Sequence, residues 1–177
     1  MGKPTAVSNS GPLIWLGRYG LLFLLRRHFS LIVIPTAVYV EVVEEGLKQN
    51  YLDAREAKKA IDEGWIRVET VDEKDVETVA KAEEKLGIRL GMGERQAISL
   101  TRSLKVKIVL TDDEDAAQVS RILKLKPRGT LYILLKAARN KILTKDQIIE
   151  VLDKMLEDGF WLSPLIVQRF HKALEKA

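Results

Sequence analysis

A chain of 177 residues, 46% apolar and 31% charged, is long enough for one domain with a sizeable core. It has no cysteine, which excludes a disulfide scaffold, a thiolate metal site and a cysteine nucleophile. Its 29 basic and 25 acidic residues leave a net charge of +4, too mild for a histone-like polycation and compatible with either an ion-paired surface of thermophilic style or an anionic-polymer partner.

Thr5 to Val7 reads as a short strand that breaks into the polar turn Ser8-Asn9-Ser10-Gly11-Pro12. A Leu-rich segment from Leu13 to Phe29 follows, and Gly17 and Gly20 split it into two short helices. LIVIP, Leu31 to Pro35, is a continuous β-branched run of the kind buried on both faces of a sheet. Pro35-Thr36 opens a helix, AVYVEVVEEG, closed by Gly46. Residues 51–63 form a charged amphipathic helix ending at Gly64, and WIRVET, Trp65 to Thr70, alternates as a strand. One helix covers Glu73 to Leu86 and stops at Gly87; the next starts at Gly91-Met92-Gly93-Glu94 and runs to Ser103. KIVLT, Lys107 to Thr111, is a fourth strand that leads straight into Asp112-Asp113-Glu114-Asp115, and the helix AAQVSRILKL follows. Gly129-Thr130 begins an apolar helix, residues 144–157 make another, and Gly159 to Pro164 is a short extended piece before a last helix, Leu165 to Lys176.

Strands alternating with helices predict an α/β protein with a parallel sheet and helices on both faces. No long linker interrupts the pattern, so residues 1–177 are expected to form one domain, with 141–177 as a C-terminal helical extension packed on it. The opening MGKPTAVSNS lacks the basic and apolar regions of a signal peptide, and no apolar run approaches the ~20 residues needed to span a bilayer. The expectation is a soluble, cytoplasmic protein without membrane contact.

Parallel strands bring their carboxyl ends to one edge, so Asn9 after the first strand and Asp112 and Asp113 after the fourth should be neighbours. Glu41 interrupts an otherwise apolar helix, and Glu94 lies in the first turn of its helix. Each has a purely structural alternative. Asn9 or Ser10 can cap a helix, Asp113 likewise, Glu94 can complement a helix dipole, and Glu41 can face solvent. Taken together they form an oxygen-rich, acidic cluster, and crowded carboxylates call for a hard cation such as Mg²⁺ or Mn²⁺.

In order, VSNSGPLIWLGRYGLLFLL, VIPTAVYVEV, LGMGERQAISLTRSL, IVLTDDEDA, RGTLYILLKAARN and DGFWLSP resemble the PIN-like domain family of metal-dependent ribonucleases, which includes the VapC toxins of prokaryotic toxin–antitoxin pairs. The resemblance implies a three-layer α/β/α fold around a central parallel sheet of four to five strands. It implies metal-binding places at Asn9, Glu41, Glu94 and Asp112 with Asp113, the T-x-D register favouring Asp113 over Asp112. Ser10 and Asp115 are auxiliary candidates. In that reading Glu41, Glu94 and Asp113 are catalytic, and Mg²⁺ or Mn²⁺ activates a water for attack on an RNA phosphodiester. Basic residues offer a substrate track: Lys124, Lys126 and Arg128 beside the Gly129 turn, Arg95 and Arg102 on the Glu94 helix, and Lys105 and Lys107 flanking the fourth strand. A small antitoxin-like protein and a homodimer formed through the Leu21 to Leu25 run are further implied partners, though that run suits the core equally.

One position departs from the pattern. Asn9 stands where the family carries a carboxylate, which removes a full charge from the site and makes a catalytically weak RNA- or protein-binding module the alternative reading. Other templates fail: position 96 is Gln, not the last Gly of G-x-G-x-x-G, and there is no G-x-x-x-x-G-K-[ST], H-E-x-x-H or G-x-S-x-G. His28 and His171 read as structural or solvated, and Trp15, Trp65 and Trp161 as core.

Overall fold

A computed structural model describes residues 5–177, which group into two compact units, one ending at Thr130 and the other spanning Leu131–Ala177. In the first unit five parallel strands form one sheet: β1 (Thr5–Ser8), β2 (Leu31–Pro35), β3 (Ile66–Glu69), β4 (Ile108–Leu110) and β5 (Lys126–Arg128), in the order β3-β2-β1-β4-β5. The fifth strand was not legible in sequence because it is three residues long and carries Pro127. A proline is tolerated there because β5 is an edge strand. The extended piece expected at Gly159 to Pro164 forms no strand.

Register places Val7 opposite both Val33 and Val109, and all three point to one face. There they join Val79 and Ala82 of α6 (Glu73–Leu86), Ala97, Ile98 and Leu100 of α7 (Met92–Ser103), and Ala116 and Val119 of α8 (Glu114–Ile122) in one core. The alternate residues Ala6, Ile32, Ile34 and Leu110 point the other way and are equally buried, so both faces of the sheet are covered.

The Leu-rich segment divides into α1 (Ser10–Arg18) and α2 (Phe23–His28), and the break falls at Gly20, whose φ of 68° suits glycine. Gly17 does not break the helix. It lies inside α1 where a Cβ would sit 2.9 Å from the Asp53 Cα, so glycine allows α5 (Leu52–Asp62) to cross there. Leu21, Leu22, Leu24 and Leu25 are buried and only Phe23 is exposed, so the leucines expected at a dimer interface or in the core go to the core.

The helix after β2 differs from expectation. It begins as α3 (Thr36–Tyr39), widens into a π-helical turn over Val40–Glu45, and continues through α4 (Gly46–Lys48). Gly46 is therefore a packing position and not a stop: a Cβ there would meet the Ala54 Cβ at 2.6 Å. The left-handed residue that follows the helix is Asn50, φ 61°.

The second unit contains most of α9 (Thr130–Arg139), α10 (Lys145–Glu157) and α11 (Pro164–Glu175). Thr144 and Gln147 close a reciprocal capping box on α10, and Ser163 caps α11 ahead of Pro164. Ile133, Leu134, Ile148, Leu152, Met155 and Phe170 are buried, whereas Trp161 is 84% exposed and so is no core residue. Among the described residues, no helix is long and apolar enough to cross a membrane.

Candidate active site

Sheet order reverses between β1 and β4, so the carboxyl ends of these two central strands open a crevice at the switch point. The corner after β1 is fixed by a hydrogen bond from the Asn9 N–H to the Leu110 carbonyl, 2.9 Å. Asn9 occupies the position that caps α1, but its side chain makes no capping bond. Instead Nδ2 donates to the Thr111 Oγ1 across the crevice at 2.9 Å. Its Oδ1 is buried without a hydrogen-bond partner. A helix-capping role for this side chain is thereby overturned.

Asp112 lies beside it. A Cβ on Gly11 would sit 3.2 Å from Asp112 Oδ2 and 3.7 Å from Asn9 Oδ1, so only a hydrogen atom separates the two side chains from this backbone. Thr130 donates to both Asp112 oxygens, from its N–H at 2.6 Å and its hydroxyl at 2.7 Å. Burial pushes the Asp112 pKa above its ordinary value, although both Thr130 bonds oppose the rise.

Asp113 points elsewhere. It is exposed, caps α8 by accepting from the Ala116 N–H at 2.6 Å, and keeps its second oxygen free of that bond. The T-x-D register thus separates two roles: Asp112 turned inward to Thr130, Asp113 outward. The hydroxyl of Thr111 accepts from both Asn9 Nδ2 and the Asp113 N–H, tying the two strand ends together.

On the β2 side the π-turn carries Glu41, and Ser10 donates to its Oε2 at 2.5 Å. Gly93 is adjacent, since a Cβ there would lie 3.4 Å from Glu41 Oε2 and 3.8 Å from Ser10 Oγ. A π-turn inside a helix re-aims the residues it carries and recurs at functional positions. Glu94 follows in the first turn of α7 and folds back over Gly91, whose Cβ would be 2.5 Å from Glu94 Oε2.

Glu94, Asp113 and Asp115 line one open pocket of about 240 Å³, together with Arg89, Leu90 and Gly91. Arg89 is the residue that sequence reasoning missed. It is an exposed cation in a charged helix-to-helix link, and nothing in its spacing marks it until the pocket is seen.

The expected basic track divides between the two edges of the sheet. Arg95 is turned away into a pair of hydrogen bonds with Glu83, Nε to Oε2 at 2.7 Å and Nη2 to Oε1 at 2.8 Å. Lys124 precedes β5 and Lys126 begins it, at the opposite edge of the sheet from the acids. Only Arg128, paired with Leu110 in the β4–β5 register, reaches the acidic edge.

The donor set is of the right kind for a hard divalent ion: all oxygen, with the buried Asn9 Oδ1 lacking a hydrogen-bond partner. Among the described residues, however, no three His, Cys, Asp or Glu side chains lie close enough to hold a metal. The residues therefore fit Mg²⁺ in its usual mode, with one or two carboxylates and retained water, and not a closed carboxylate cage.

A family model described as a PIN domain, DUF3368, matches residues 5–176. No curated protein matches the chain by sequence. Among solved structures, the VapBC2 complex of Rickettsia felis, bound to a DNA fragment from its promoter, is similar over 71% of this chain and 98% of its own, with 14% identity and a TM-score of 0.51. VapC20 of Mycobacterium tuberculosis, a sarcin-ricin loop cleaving toxin, covers 63% of this chain and 92% of its own, with 18% identity and a TM-score of 0.47.

Proposed function

The chain belongs to the PIN-domain family, and from that premise we propose that it is a ribonuclease that hydrolyses RNA phosphodiester bonds at the carboxyl edge of its sheet. The observation that carries this reading is the pocket in which Glu94, Asp113 and Asp115 meet Arg89. Acids and a cation lining one pocket suit a reaction in which water must lose a proton while a phosphate gains charge.

The water oxygen bonds to phosphorus, the bond to the leaving ribose oxygen breaks, the water's proton passes to a carboxylate, and the leaving oxygen takes a proton from solvent to become a hydroxyl. Glu94 is the acceptor, folded over Gly91 and open to the pocket it shares with Asp113. Asp113 is held still by its cap on α8 and orients the water through its other oxygen. Arg89 faces the phosphate. Ser10 holds the carboxylate of the exposed Glu41 in place by its hydrogen bond. Mg²⁺ or Mn²⁺, held by Glu94 and Asp113 with water completing its shell, would supply Lewis acidity to the phosphate and a more acidic water, and Glu41, Asn9 and Asp112 would act on it only through that water. RNA cleavage that appears with either metal and disappears with chelator is the result this reading expects; no cleavage with either metal would overturn it.

One observation favours a second reading. Asn9 is an amide, and the described acids do not converge on one point, which suits a PIN domain that binds RNA without cutting it. In that case RNA affinity persists while products never appear. A small antitoxin placing a basic side chain in the acidic pocket, and a homodimer, are the proposed protein partners, tested by co-purification and by mass in solution.

A further inference from the structure

At the opposite edge of the sheet, two short stretches repeat a pattern: Leu104-Lys105-Val106-Lys107 leads from α7 into β4, and Leu123-Lys124-Leu125-Lys126 leads from α8 into β5. β4 and β5 are parallel neighbours, and the Lys126 N–H donates to the Lys107 carbonyl at 2.7 Å, so the two copies lie side by side. Between them opens a pocket of about 350 Å³ lined by Arg102, Lys105, Lys107 and Lys124, with Asp75 as the acid on its wall. None of these four cations forms an ion pair among the described residues, whereas Arg26, Lys48, Lys58, Arg95 and Lys154 all do.

Two further features set this pocket apart from an ordinary lysine-rich surface. Lys105 and Lys124 both take a left-handed backbone, φ 54° and 59°, at helix ends where glycine or asparagine is the usual choice. Lys141 outside the pocket shares this conformation, but here two such lysines lie side by side on one pocket. The Arg102 Nε–H is buried with no hydrogen-bond partner, a donor held in the pocket wall with nothing of the protein to accept from it. The backbone groups of both helix ends are already satisfied, by Val106 N–H to the Thr101 carbonyl and Leu125 N–H to the Ser120 carbonyl. The backbone there needs no further partner, and the Lys105 and Lys124 side chains form no ion pair among the described residues. No aromatic ring lines the pocket, so it offers charge and donors and no surface for base stacking.

We propose that this pocket binds the phosphate backbone of a single-stranded nucleic acid, as a second contact set apart from the acidic edge. Asp112 lies five residue steps beyond Lys107, about 16 Å at the usual rise of a strand. A strand anchored here is held by its phosphates and is read without sequence preference. The choice of RNA as probe rests on the ribonuclease reading; the existence of the anion site does not.

Binding of a short fluorescein-labelled oligouridylate is measured by anisotropy over a salt series, with chelator present so that no cleavage intrudes. Each backbone phosphate neutralised contributes a slope of about −0.7 in log affinity against log salt. The Lys105→Gly/Lys124→Gly double variant should flatten the slope by about 1.4 and weaken binding tenfold or more at low salt. Because glycine relieves both left-handed positions, the same variant should melt at a higher temperature than the parent, which separates lost charge from lost fold. Arg102→Gln should weaken binding in the same way, while Lys58→Gln, which removes an ion-paired lysine outside the pocket, should not. Unchanged affinity and slope in the stable double variant would overturn the proposal, as would inhibition by free phosphate at the same concentration as by the oligonucleotide. Loss of cleavage with this binding intact would count against the ribonuclease reading alone.

Discussion

Both oxygens of Glu83 are occupied by Arg95, and Oε1 also accepts from the Leu90 N–H at 2.7 Å. This links α6 to the first turn of α7 and fixes the Arg89–Gly91 link that walls the acidic pocket. Burial pushes the Glu83 carboxyl up, but the Arg95 bonds, the Leu90 N–H and the charges of Arg95 and Arg89 together hold it below its ordinary value. Arg95, read from sequence as an RNA contact, is thus a positioning residue next door to Glu94.

Glu83→Gln should cost about 3 kcal/mol, because Glu83 is 5% and Arg95 29% exposed and removing one partner strands the other charge. The folded pKa is depressed, so this stability is present above 4.5 and is lost as pH falls through the folded value. Urea unfolding of parent and variant at neutral and acid pH checks both statements: the gap between them should close in acid.

Asp112 should show the opposite dependence. Its folded pKa is raised, so the folded state holds the proton over a range where the unfolded chain has released it, and its contribution to stability declines as pH rises from 3.8 through the folded value. Asp112→Asn removes this decline. Relative to the parent, the variant should gain stability on going from acid to neutral pH, measured by the same unfolding curves.

Asn9→Asp should place a second carboxylate against Asp112 and lose the donor to Thr111. In chelator the variant should be less stable by roughly 1–3 kcal/mol. Mg²⁺ or Mn²⁺ should restore that loss, and calorimetry should show tighter metal binding than in the parent. Equal metal affinity in the two proteins would remove position 9 from the ion's surroundings.

Gly129→Ala should disturb the site without touching an acid. The added Cβ would lie 2.6 Å from Asp112 Oδ1 and 3.1 Å from the Thr111 carbonyl, and that backbone cannot yield cheaply. A loss of about 1–3 kcal/mol is expected, together with release of Asp112 from Thr130. Thermal unfolding gives the first, and loss of the raised Asp112 titration by NMR gives the second.

Much of the architecture was written in the spacing. The β-branched runs at Leu31 to Pro35 and Lys107 to Thr111 and the Gly20 break announced themselves because burial and backbone freedom constrain residue type locally. That Asn9 and Asp112 lie beside one another follows from one rule, that parallel strands share an edge. What spacing did not reveal depends on contacts far apart in the chain. Gly46 and Gly17 resemble helix stops until Ala54 and Asp53 are seen pressed against them. The π-turn that carries Glu41 has no compositional mark. Arg95 and Arg89 are six residues apart and look alike in sequence, yet Glu83 claims the first and leaves the second facing the pocket.

The central claim, that the carboxyl edge of this sheet cuts RNA, is tested most directly by the rate of RNA cleavage in Mg²⁺ or Mn²⁺ for the parent, Glu94→Gln and Asp113→Asn, with folding checked by circular dichroism. The account predicts cleavage by the parent and a loss of about a hundredfold or more in each variant, the scale of a removed general base. Variants that are folded and cut as fast as the parent would contradict it.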